Sequence, residues 1–450
     1  MRAAFSRRWA AQGAIGRYVR QVTSESLPSA DGRLALEAEA ATDALMSQAH
    51  TAAAFELPAL ADRHVGGFGG TEAVIYLADL QQTMLVPFFG PDGPGPHTHV
   101  DLLSIDSTLA GRAFRHVEVL VQHNVGGAST VWLPLLDGSE RLGVVAVSVE
   151  GDADALLSGR LRARLQRFVS IIGELVMTKT LYADTIVRLR RLAQMGLAAE
   201  MQWSLLPPLT FACPEVTIAA ALEPAYEVAG DTFDYAIDTG VARFAVLDGM
   251  GHGLRSAQSA VVAVAAYRHA RRAGHSLLET CAAIDDAVSE AFSGSMFTTA
   301  VLAELNTTDG MLQWVNAGHP EPFLLRDGRL VKTLHVAPRP PLGLHLGGAW
   351  SSPPVGTEHL EPGDVVLLYT DGVIEARAPD GEFFGERRLV DLIVQHMAAG
   401  LPAPETMRRL VRALLEHQQG RLTDDASLVL ISWAGRGGMD SAVLSGTGPA

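Results

Sequence analysis

The chain has 450 residues, 48% of them hydrophobic, and a formal net charge of −15 at pH 7. This length predicts two or three domains with ample material for packed cores, and the charge argues against nucleic acid as the main partner, because phosphate backbones require a basic surface. The chain has only two cysteines, which excludes a disulfide framework and a cysteine-based zinc site. It contains no apolar run of the roughly 20 residues that a membrane span needs, and its N-terminus has no apolar secretory core. These features predict a cytoplasmic protein.

The first part of the chain is predicted to be a mixed α/β domain that follows a short helix and polar linker in residues 1–30. Within residues 31–152, a helix-like stretch comes first, and short strand-like runs separated by Asp-Gly and Gly/Pro turns follow it. The predicted strands cover residues 73–77, 84–89, 117–122, 130–136 and 142–149.

A helical pattern dominates residues 153–206, where apolar or small residues recur at steps of four and three from Leu161 to Trp203. Pro207 and Pro208 end this predicted linking helix, because proline cannot continue one. A seam of this length is typical of a coiled coil between two subunits, and it therefore predicts a homodimer. The alternative is a helix packed against its own domain.

Residues 207–434 are predicted to form a second domain, in which many strand-like runs occur with few helices between them. This order favours an α+β fold over a doubly wound sheet. The predicted helices cover residues 256–272, 277–292, 386–397 and 404–418. Residues 435–450 are rich in Gly, Ser and Ala, a composition that predicts a disordered tail.

Aspartates at the ends of apolar runs are the most informative feature of the second domain. Asp248 ends the run 244–247 and opens the turn Asp-Gly-Met-Gly-His-Gly, and Asp371 follows the run 365–370. An ionised Asp at the edge of a core is costly unless it is paired or bound to a metal. Further candidates are Asp231 and the pair Asp424-Asp425, and the bare backbone of Gly249 lets its carbonyl approach a cation. Clustered carboxylates suit hard divalent cations and predict metal-assisted hydrolysis.

Other interpretations of these motifs compete with the metal site. Asp-Gly ordinarily marks a turn, and the turn explains six of the eight Asp-Gly pairs in the chain. The glycines after Asp248 lack the spacing of a dinucleotide-binding motif, and neither a P-loop nor a Gly-x-Ser-x-Gly elbow is present. Among the eight Asp-Gly pairs, only those of Asp248 and Asp371 directly follow runs apolar enough for buried strands, so these two pairs remain candidates for a metal site.

Residues from about 198 to 434 resemble the SpoIIE-like, RsbU-type branch of the PPM family of metal-dependent serine/threonine phosphatases. The matching pieces, in order, are Met201–Pro207, Glu227–Asp234, Asp248–Gly253, Phe297–Ala300, Asn316–Pro320, Pro341–Gly343, Tyr369–Glu375 and Thr423–Ser427. Eight pieces in sequence make a specific pattern, although each one alone is weak. The resemblance implies an αββα sandwich, in which two stacked β-sheets carry helices on their outer faces.

The resemblance also implies the site and its substrate. The implied ligands of two Mn²⁺ or Mg²⁺ ions are Asp231, Asp248, the Gly249 carbonyl, Asp371 and Asp424. Asp248 would bridge the ions, Asp248 and Asp371 are the implied catalytic residues, and Asp425 is the alternative to Asp424. Asp234 is expected to support the site, and His252 and His319 are expected to be structural. Met250 stands where some relatives carry a histidine, so the general acid is unassigned, and His252 is the alternative for that role. The implied substrate is phosphoserine or phosphothreonine on a STAS-type antagonist of an anti-sigma factor.

Residues 31–152 resemble a GAF sensor domain in Asp106–Phe114, Val131–Leu135 and Arg141–Val147. This resemblance implies an unknown small ligand or partner and regulation of the phosphatase through the linking helix. The main alternative is a non-catalytic pseudophosphatase that serves as a signalling scaffold, although all the implied metal carboxylates are present. A cyclic-nucleotide phosphodiesterase is the other alternative, but its histidine-rich ligand sets are missing.

Overall fold

The computed structural model describes residues 30–91, 93, 101–124, 127–151, 160–223, 226, 230–346, 354–419 and 424–435. The predicted N-terminal segment 1–30 and tail 435–450 therefore lie, apart from one residue each, outside the described residues. Across the described ranges, no helix is long and apolar enough to cross a membrane.

The N-terminal part contains a six-stranded antiparallel sheet in the order β3-β2-β1-β6-β5-β4. Helices α1 and α2 pack on one face of this sheet and α3 packs on the other. The bounds are α1 Ala30–Thr51, α2 Leu57–Val65, β1 Glu72–Ala78, β2 Met84–Phe88, β3 Leu103–Ser104, α3 Leu109–His116, β4 Leu120–His123, β5 Ala128–Asp137 and β6 Glu140–Glu150. Thr108 caps α3 by accepting a hydrogen bond from the Gly111 amide, which satisfies one of the free donors at the helix start.

The linking helix predicted over residues 153–206 is instead three helices in the described part of that segment: α4 Arg160–Thr180, α5 Asp184–Leu189 and α6 Leu197–Trp203. Leu165, Phe168 and Ile172 on the apolar face of α4 are fully buried, and α4 packs against β5 of the same chain. The break after Thr180 lets Ile186 of α5 reach the same core. Because this apolar face is filled within one chain, it is not free to form a coiled coil, and α4 is the helix packed on its own domain. The homodimer stays a prediction.

The C-terminal part contains two antiparallel sheets. The first has the order β15-β12-β11-β10-β9, and the second has the order β14-β13-β16-β17-β8-β7. The strands are β7 Thr210–Ala212, β8 Val216–Glu223, β9 Asp231–Asp238, β10 Val241–Gly249, β11 Thr298–Asn306, β12 Met311–Ala317, β13 Phe323–Arg326, β14 Arg329–Thr333, β15 Gly356–His359, β16 Val365–Tyr369 and β17 Ala426–Trp433. The helices are α7 Leu254–Arg272, α8 Leu277–Phe292, α9 Asp371–Ile374, α10 Gly385–Ala398 and α11 Ala403–His417.

Alternating burial along the strands sets the order of the layers. Phe244 and Val246 of β10 belong to a core shared by the two sheets, whereas Ala245 and Leu247 belong to a core shared with α7 and α8. Successive side chains of a strand point to opposite faces, so one strand serves both cores. On the second sheet, Leu367 packs in the same way towards α10 and α11. The layers are therefore helix, sheet, sheet and helix, and the predicted combination of helices and strands is confirmed.

Buried ion pairs join the N-terminal part to α11. Arg141 of β6 contacts Glu405 at 3.3 Å, and both side chains are almost fully buried. Arg408 contacts Glu405 at 2.9 Å and Asp106 at 2.7 Å. We call these four residues, Asp106, Arg141, Glu405 and Arg408, the interface network. They connect β6 and the segment before α3 to a helix that packs on β8 of the second sheet.

Candidate metal centre

Asp231 and Asp248 face each other across the β9–β10 pair, as direct register partners. Phe233 and Val246, two residues from each aspartate along the same strands, lie in the core between the sheets. Because side-chain direction repeats every two residues, both aspartates stand on the inter-sheet face at one end of the sandwich. Asp231 is 2% exposed, whereas Asp248 is partly exposed. The sequence prediction named both residues but missed strand β9, whose alternation is interrupted by Asp234 and Asp238.

The second sheet brings hydroxyl and carboxylate groups to the same end. Thr370, directly after β16, donates its hydroxyl hydrogen to Asp231 and accepts a hydrogen bond from the Ser427 amide at 2.9 Å. Asp371 begins α9 and is exposed. Asp425, directly before β17, accepts hydrogen bonds from the amides of Gly230 and Asp231. Groups from both sheets thus meet at Asp231.

Asp424 and Asp425, which sequence reasoning left as alternatives, occupy different environments. Asp425 is buried, and its Oδ2 accepts the two amide hydrogen bonds from the start of β9. Asp424 is exposed, and its Oδ1 accepts a hydrogen bond from the Asp425 amide at 2.9 Å. Asp425 therefore joins the two sheets, whereas the Asp424 carboxylate is exposed to solvent.

Glycine is required where two segments of this end touch. A Cβ on Gly372 would lie 1.8 Å from the Asp425 carbonyl oxygen, so Gly372 lets the start of α9 rest against residues 424–425. A Cβ on Gly230 would lie 2.5 Å from the Gly249 carbonyl oxygen. That carbonyl accepts a hydrogen bond from the Ser256 hydroxyl at 2.6 Å. These close approaches hold the acidic segments together through their backbones.

Like charges dominate the electrostatics of the group Asp231, Asp248, Asp371, Asp424 and Asp425, which we call the acidic cluster. Burial, together with the negative charges of Asp371, Asp424 and Asp425, raises the pKa of Asp248 to about 7. Burial, Asp248 and Asp425 raise the pKa of Asp231 well above its ordinary value. Although Asp371 is exposed overall, partial desolvation of its carboxyl group and the negative charge of Asp424 raise its pKa. No cationic side chain is among the causes of these three shifts.

The donor set of the acidic cluster fits hard divalent cations, since it offers only carboxylate and carbonyl oxygens. Its ligand oxygens are spread more widely than those of a tight single-ion site. Among the described residues, three ligand atoms within 4.8 Å of one another occur only at Asp285, Asp286 and His345. There, Asp285 accepts hydrogen bonds from the amides of Gly343 and His345 and so holds the loop after Leu342.

Three residues that the sequence prediction assigned to supporting roles do not join the cluster. Asp234 is buried on β9 but pairs with Arg268 at 2.8 Å and Arg271 at 3.2 Å, and so ties the strand to α7. His252 is exposed in the turn after β10. His319 is buried, and its Nδ1 lies 2.8 Å from the Thr299 hydroxyl. Burial lowers the pKa of His319 to about 3, so its imidazole is neutral.

Hydroxyl groups are the functional candidates that sequence reasoning missed. Thr370 contacts Asp231, Ser256 contacts the Gly249 carbonyl, and Thr299 lies 3.5 Å from the Asp248 carboxylate. Thr299 is the register partner of Asp248 on β11. The sequence carried one usable signal, namely that Thr370 directly precedes Asp371 at the end of an apolar run. Thr299 lies in the matching piece Phe297–Ala300, but its partner Asp248 is 51 residues away and its role was not assigned. No sequence pattern marks Ser256.

The sandwich and its acidic end define the class of domain to which this part of the chain belongs. It is a PPM-type serine/threonine phosphatase domain, and members of this class are hydrolases. More particularly, residues 238–434 match the family described as Stage II sporulation protein E, or SpoIIE, so this part of the chain is a SpoIIE domain. The match begins after Asp231, so the assignment of Asp231 rests on its register with Asp248.

Curated relatives and a solved structure cover parts of the chain. Protein IcfG of Synechocystis sp. is 27% identical over 138 residues, which are 30% of this chain and 21% of that protein. Phosphoserine phosphatase RsbU of Bacillus subtilis is 25% identical over 239 residues, which are 53% of this chain and 70% of RsbU. The SiaA-PP2C domain of Pseudomonas aeruginosa is 24% identical, with a TM-score of 0.44 over 52% of this chain and 94% of that chain. The chain thus spans about a fifth of IcfG and more than two thirds of RsbU.

Proposed function

We propose that the chain is a metal-dependent protein serine/threonine phosphatase whose active site is the acidic cluster. The observation that carries the proposal is the cross-strand pair Asp231 and Asp248. Thr370 and Asp425, at the ends of strands of the second sheet, form hydrogen bonds with Asp231. Five carboxylates lie together at this end of the sandwich. No positively charged side chain is among the causes of the pKa shifts of Asp231, Asp248 and Asp371. Such a cluster is stable in its charged form only with bound cations.

Two divalent cations, Mn²⁺ or Mg²⁺, are the proposed cofactors. The proposed ligands are Asp231, Asp248, the Gly249 carbonyl, Asp371 and Asp424. Asp424 is preferred to Asp425, because Asp425 already accepts hydrogen bonds from two buried amides, whereas Asp424 is exposed. When bound, such a pair of cations supplies a water molecule of lowered pKa and positive charge for the phosphate oxygens.

The residues of the chain orient this site. Thr370 fixes one oxygen of Asp231 through its hydroxyl, which leaves the other oxygen to face the cluster. Asp248 is proposed to bridge the two cations, because it lies opposite Asp231 and its pKa responds to Asp371 and Asp424 on the other sheet. Asp371 and Asp424 are exposed, so they border the side from which a phosphate on a protein would enter. Asp248 and Asp371 are therefore the proposed catalytic residues.

The proposed substrate is phosphoserine or phosphothreonine on a STAS-type antagonist of an anti-sigma factor. Support comes from the similarity to RsbU, which is a phosphoserine phosphatase. Residues 31–152 are proposed to be a GAF-like sensor domain that binds an unknown small ligand or partner and regulates residues 207–434. The interface network supports such regulation, since it ties β6 directly to α11. A homodimer is part of the same proposal.

The decisive experiment measures phosphate release from a phosphorylated STAS-domain protein with Mn²⁺, with Mg²⁺ and with a chelator. We expect hydrolysis with either cation and none with the chelator. Asp248→Ala should abolish hydrolysis. The matched control is Asp238→Ala at the exposed far end of β9, the strand that begins with Asp231, and this variant should keep the wild-type rate.

The outcomes separate the proposal from its alternative. Full activity of Asp248→Ala would show that the site is assigned wrongly. Tight binding of the phosphoprotein without hydrolysis in any divalent cation would identify a non-catalytic scaffold instead.

A further inference from the structure

The segment that enters β9 connects the acidic cluster with the N-terminal part of the chain. Strand β8 ends at Glu223 and β9 begins at Asp231, so residues 224–230 join the second sheet to the first. We call residues 223–230 the lead-in segment, and the structure describes Glu223, Tyr226 and Gly230 within it. Gly230 directly precedes the proposed ligand Asp231, so the position of Asp231 depends on how this segment is held.

The end of the lead-in segment is fixed inside the acidic cluster. The Gly230 amide donates a hydrogen bond to the Asp425 carboxylate, and the Gly230 carbonyl accepts one from the Gly249 amide at 3.1 Å. A displacement of Gly230 would therefore disturb two proposed ligands at once, namely Asp231 and the Gly249 carbonyl.

The middle of the lead-in segment is fixed by the loop between α5 and α6. Tyr226 is 9% exposed, and its hydroxyl oxygen accepts a hydrogen bond from the Leu192 amide at 3.0 Å. Its carbonyl oxygen accepts a second hydrogen bond, from the Gly196 amide at 2.9 Å. The same loop is bonded to the N-terminal sheet, because the Leu80 amide, after β1, donates to the Arg190 carbonyl at 3.1 Å. One loop thus joins Tyr226 to the end of β1.

The start of the lead-in segment contacts the turn between β1 and β2. Gln81 donates a hydrogen bond from Nε2 to Oε2 of Glu223 at 3.2 Å, and Glu223 is almost fully buried. Asp79, which is also buried, accepts hydrogen bonds from three backbone amides of this turn. Because the turn is held from inside, a displacement of β1 is carried to Glu223 rather than absorbed by the turn.

We propose that Tyr226 and Gln81 are positioning residues for Asp231, through which the N-terminal part sets the metal affinity of the acidic cluster. This inference rests on the proposed function, since it gives the regulation of the same site a physical route. A signal that shifts β1 or the α5–α6 loop changes cation binding. By linkage, cation binding changes the hold on that loop by the same factor.

Hydrogen exchange in the metal-free, full-length protein, resolved to single amides, tests the positioning without any cation. The Gly230 and Asp231 amides donate to Asp425, so they are protected only while the lead-in segment is in place. Tyr226→Phe keeps the ring and removes the hydroxyl that accepts the loop amide. We expect it to speed exchange of both amides about fivefold, the size expected for one neutral hydrogen bond.

Gln81→Ala removes the contact with Glu223 and should speed exchange of the same two amides by a similar factor. The matched controls are Tyr182→Phe and Gln395→Ala at exposed positions, which should exchange like the wild type. Exchange in β11 should stay at the wild-type rate in every variant. A merely structural role for Tyr226 or Gln81 predicts instead faster exchange across the whole domain, including β11.

Calorimetric titration with Mn²⁺ measures the consequence for the site. We expect Mn²⁺ affinity to fall about fivefold in Tyr226→Phe and in Gln81→Ala, and to stay unchanged in the two controls. Wild-type exchange at Gly230 and Asp231 in both variants would overturn the proposal. Faster exchange with unchanged Mn²⁺ affinity would overturn it too, because the N-terminal part would then not set the affinity.

Failure of the wild type to bind Mn²⁺ would refute the proposed metal centre instead. The exchange rates of the metal-free proteins would then decide by themselves whether Tyr226 and Gln81 position Asp231.

Discussion

The acidic cluster and the interface network both bury carboxylates, but they neutralise them differently. In the interface network, burial works to raise the pKa of Glu405, yet hydrogen bonds and charge from Arg408, with the charge of Arg141, bring it below its ordinary value. In the acidic cluster, burial and neighbouring carboxylates act in the same direction and raise the pKa of Asp231 and Asp248. Arginine side chains of the same chain neutralise the carboxylates of the interface network. The carboxylates of the acidic cluster would be neutralised by cations from solution.

This difference separates a structural role for buried charge from a functional one. A carboxylate paired with arginine is already satisfied and gains little from a cation. A carboxylate surrounded by other carboxylates is unstable in its charged form, which is the condition that favours metal binding. Perturbed pKa values therefore support the proposed functional site only when the sign of each shift and its cause are considered together.

The largest expected effect comes from removing the central charge of the interface network. Glu405→Gln leaves Arg141 and Arg408 buried without their shared carboxylate, and we expect the protein to lose about 3–5 kcal/mol of unfolding free energy. Urea denaturation followed by circular dichroism measures this loss. Glu416→Gln, at an exposed position of the same helix, is the matched control and should change little. Equal stability of the two variants would show that the network does not hold the two parts together.

Adding metal should stabilise the acidic cluster and leave the interface network unaffected. At a Mn²⁺ concentration about a hundredfold above Kd, the gain in unfolding free energy should be about 2.7 kcal/mol. Asp248→Asn should lose this gain, and its metal-free form should be at least as stable as the metal-free wild type, because one repelling charge is gone. Thermal unfolding with Mn²⁺ and with a chelator measures both quantities. A metal-free Asp248→Asn that is clearly less stable would contradict the like-charge account.

Thr370 offers a smaller test of the acidic cluster. Thr370→Val removes the hydroxyl that orients Asp231, and we expect metal affinity or phosphatase activity to fall about 10–100-fold, as for other partners of metal ligands. Thr370→Ser keeps the hydroxyl and is the matched control. Metal titrations of both variants measure the effect. If valine and serine behave alike, the hydroxyl is not what positions Asp231.

His319 shows a third way to bury an ionisable group, which is to keep it neutral. Its pKa is about 3 in the folded protein and about 6.5 when unfolded, so below pH 6.5 the unfolded chain binds more protons and stability falls. At pH 5.5 this one residue should cost about 1.2 kcal/mol relative to pH 7. Urea denaturation of wild type and His319→Gln at both pH values measures the difference. Equal pH dependence of the two proteins would show that His319 is not held neutral.

Much of the SpoIIE domain was predictable because its signals are local. Four of its helices were predicted within a few residues of their observed bounds, and the apolar runs that end at Asp248 and Asp371 are strands β10 and β16. Strand β9 was missed, because Asp234 and Asp238 interrupt its apolar pattern. Asp234 is satisfied by Arg268 and Arg271 from α7, a pairing that no local pattern reveals.

The continuous linking helix was predicted wrongly for a physical reason. The repeat of apolar residues in α4 is real, but the same repeat serves a coiled coil or a helix packed on a sheet. In the structure the face that contains Leu165 and Phe168 is filled by the N-terminal sheet and its helices. A periodic pattern specifies that a face will be buried, and the partner that buries it depends on the whole fold.

The sequence by itself determined the chemistry of this protein: carboxylates at the ends of buried strands, in an order that resembles a metal-dependent phosphatase. The tertiary structure decided the geometry. It set Asp231 opposite Asp248, bound Asp425 to backbone amides and left Asp424 exposed, and it placed Arg141 against Glu405. The physical reason is distance along the chain. Local patterns fix which groups must be buried or charged, whereas the register of β9 with β10 sets Asp231 opposite Asp248. The contacts of Asp425 with Asp231 and of Arg141 with Glu405 join distant parts of the chain and exist only in the folded structure.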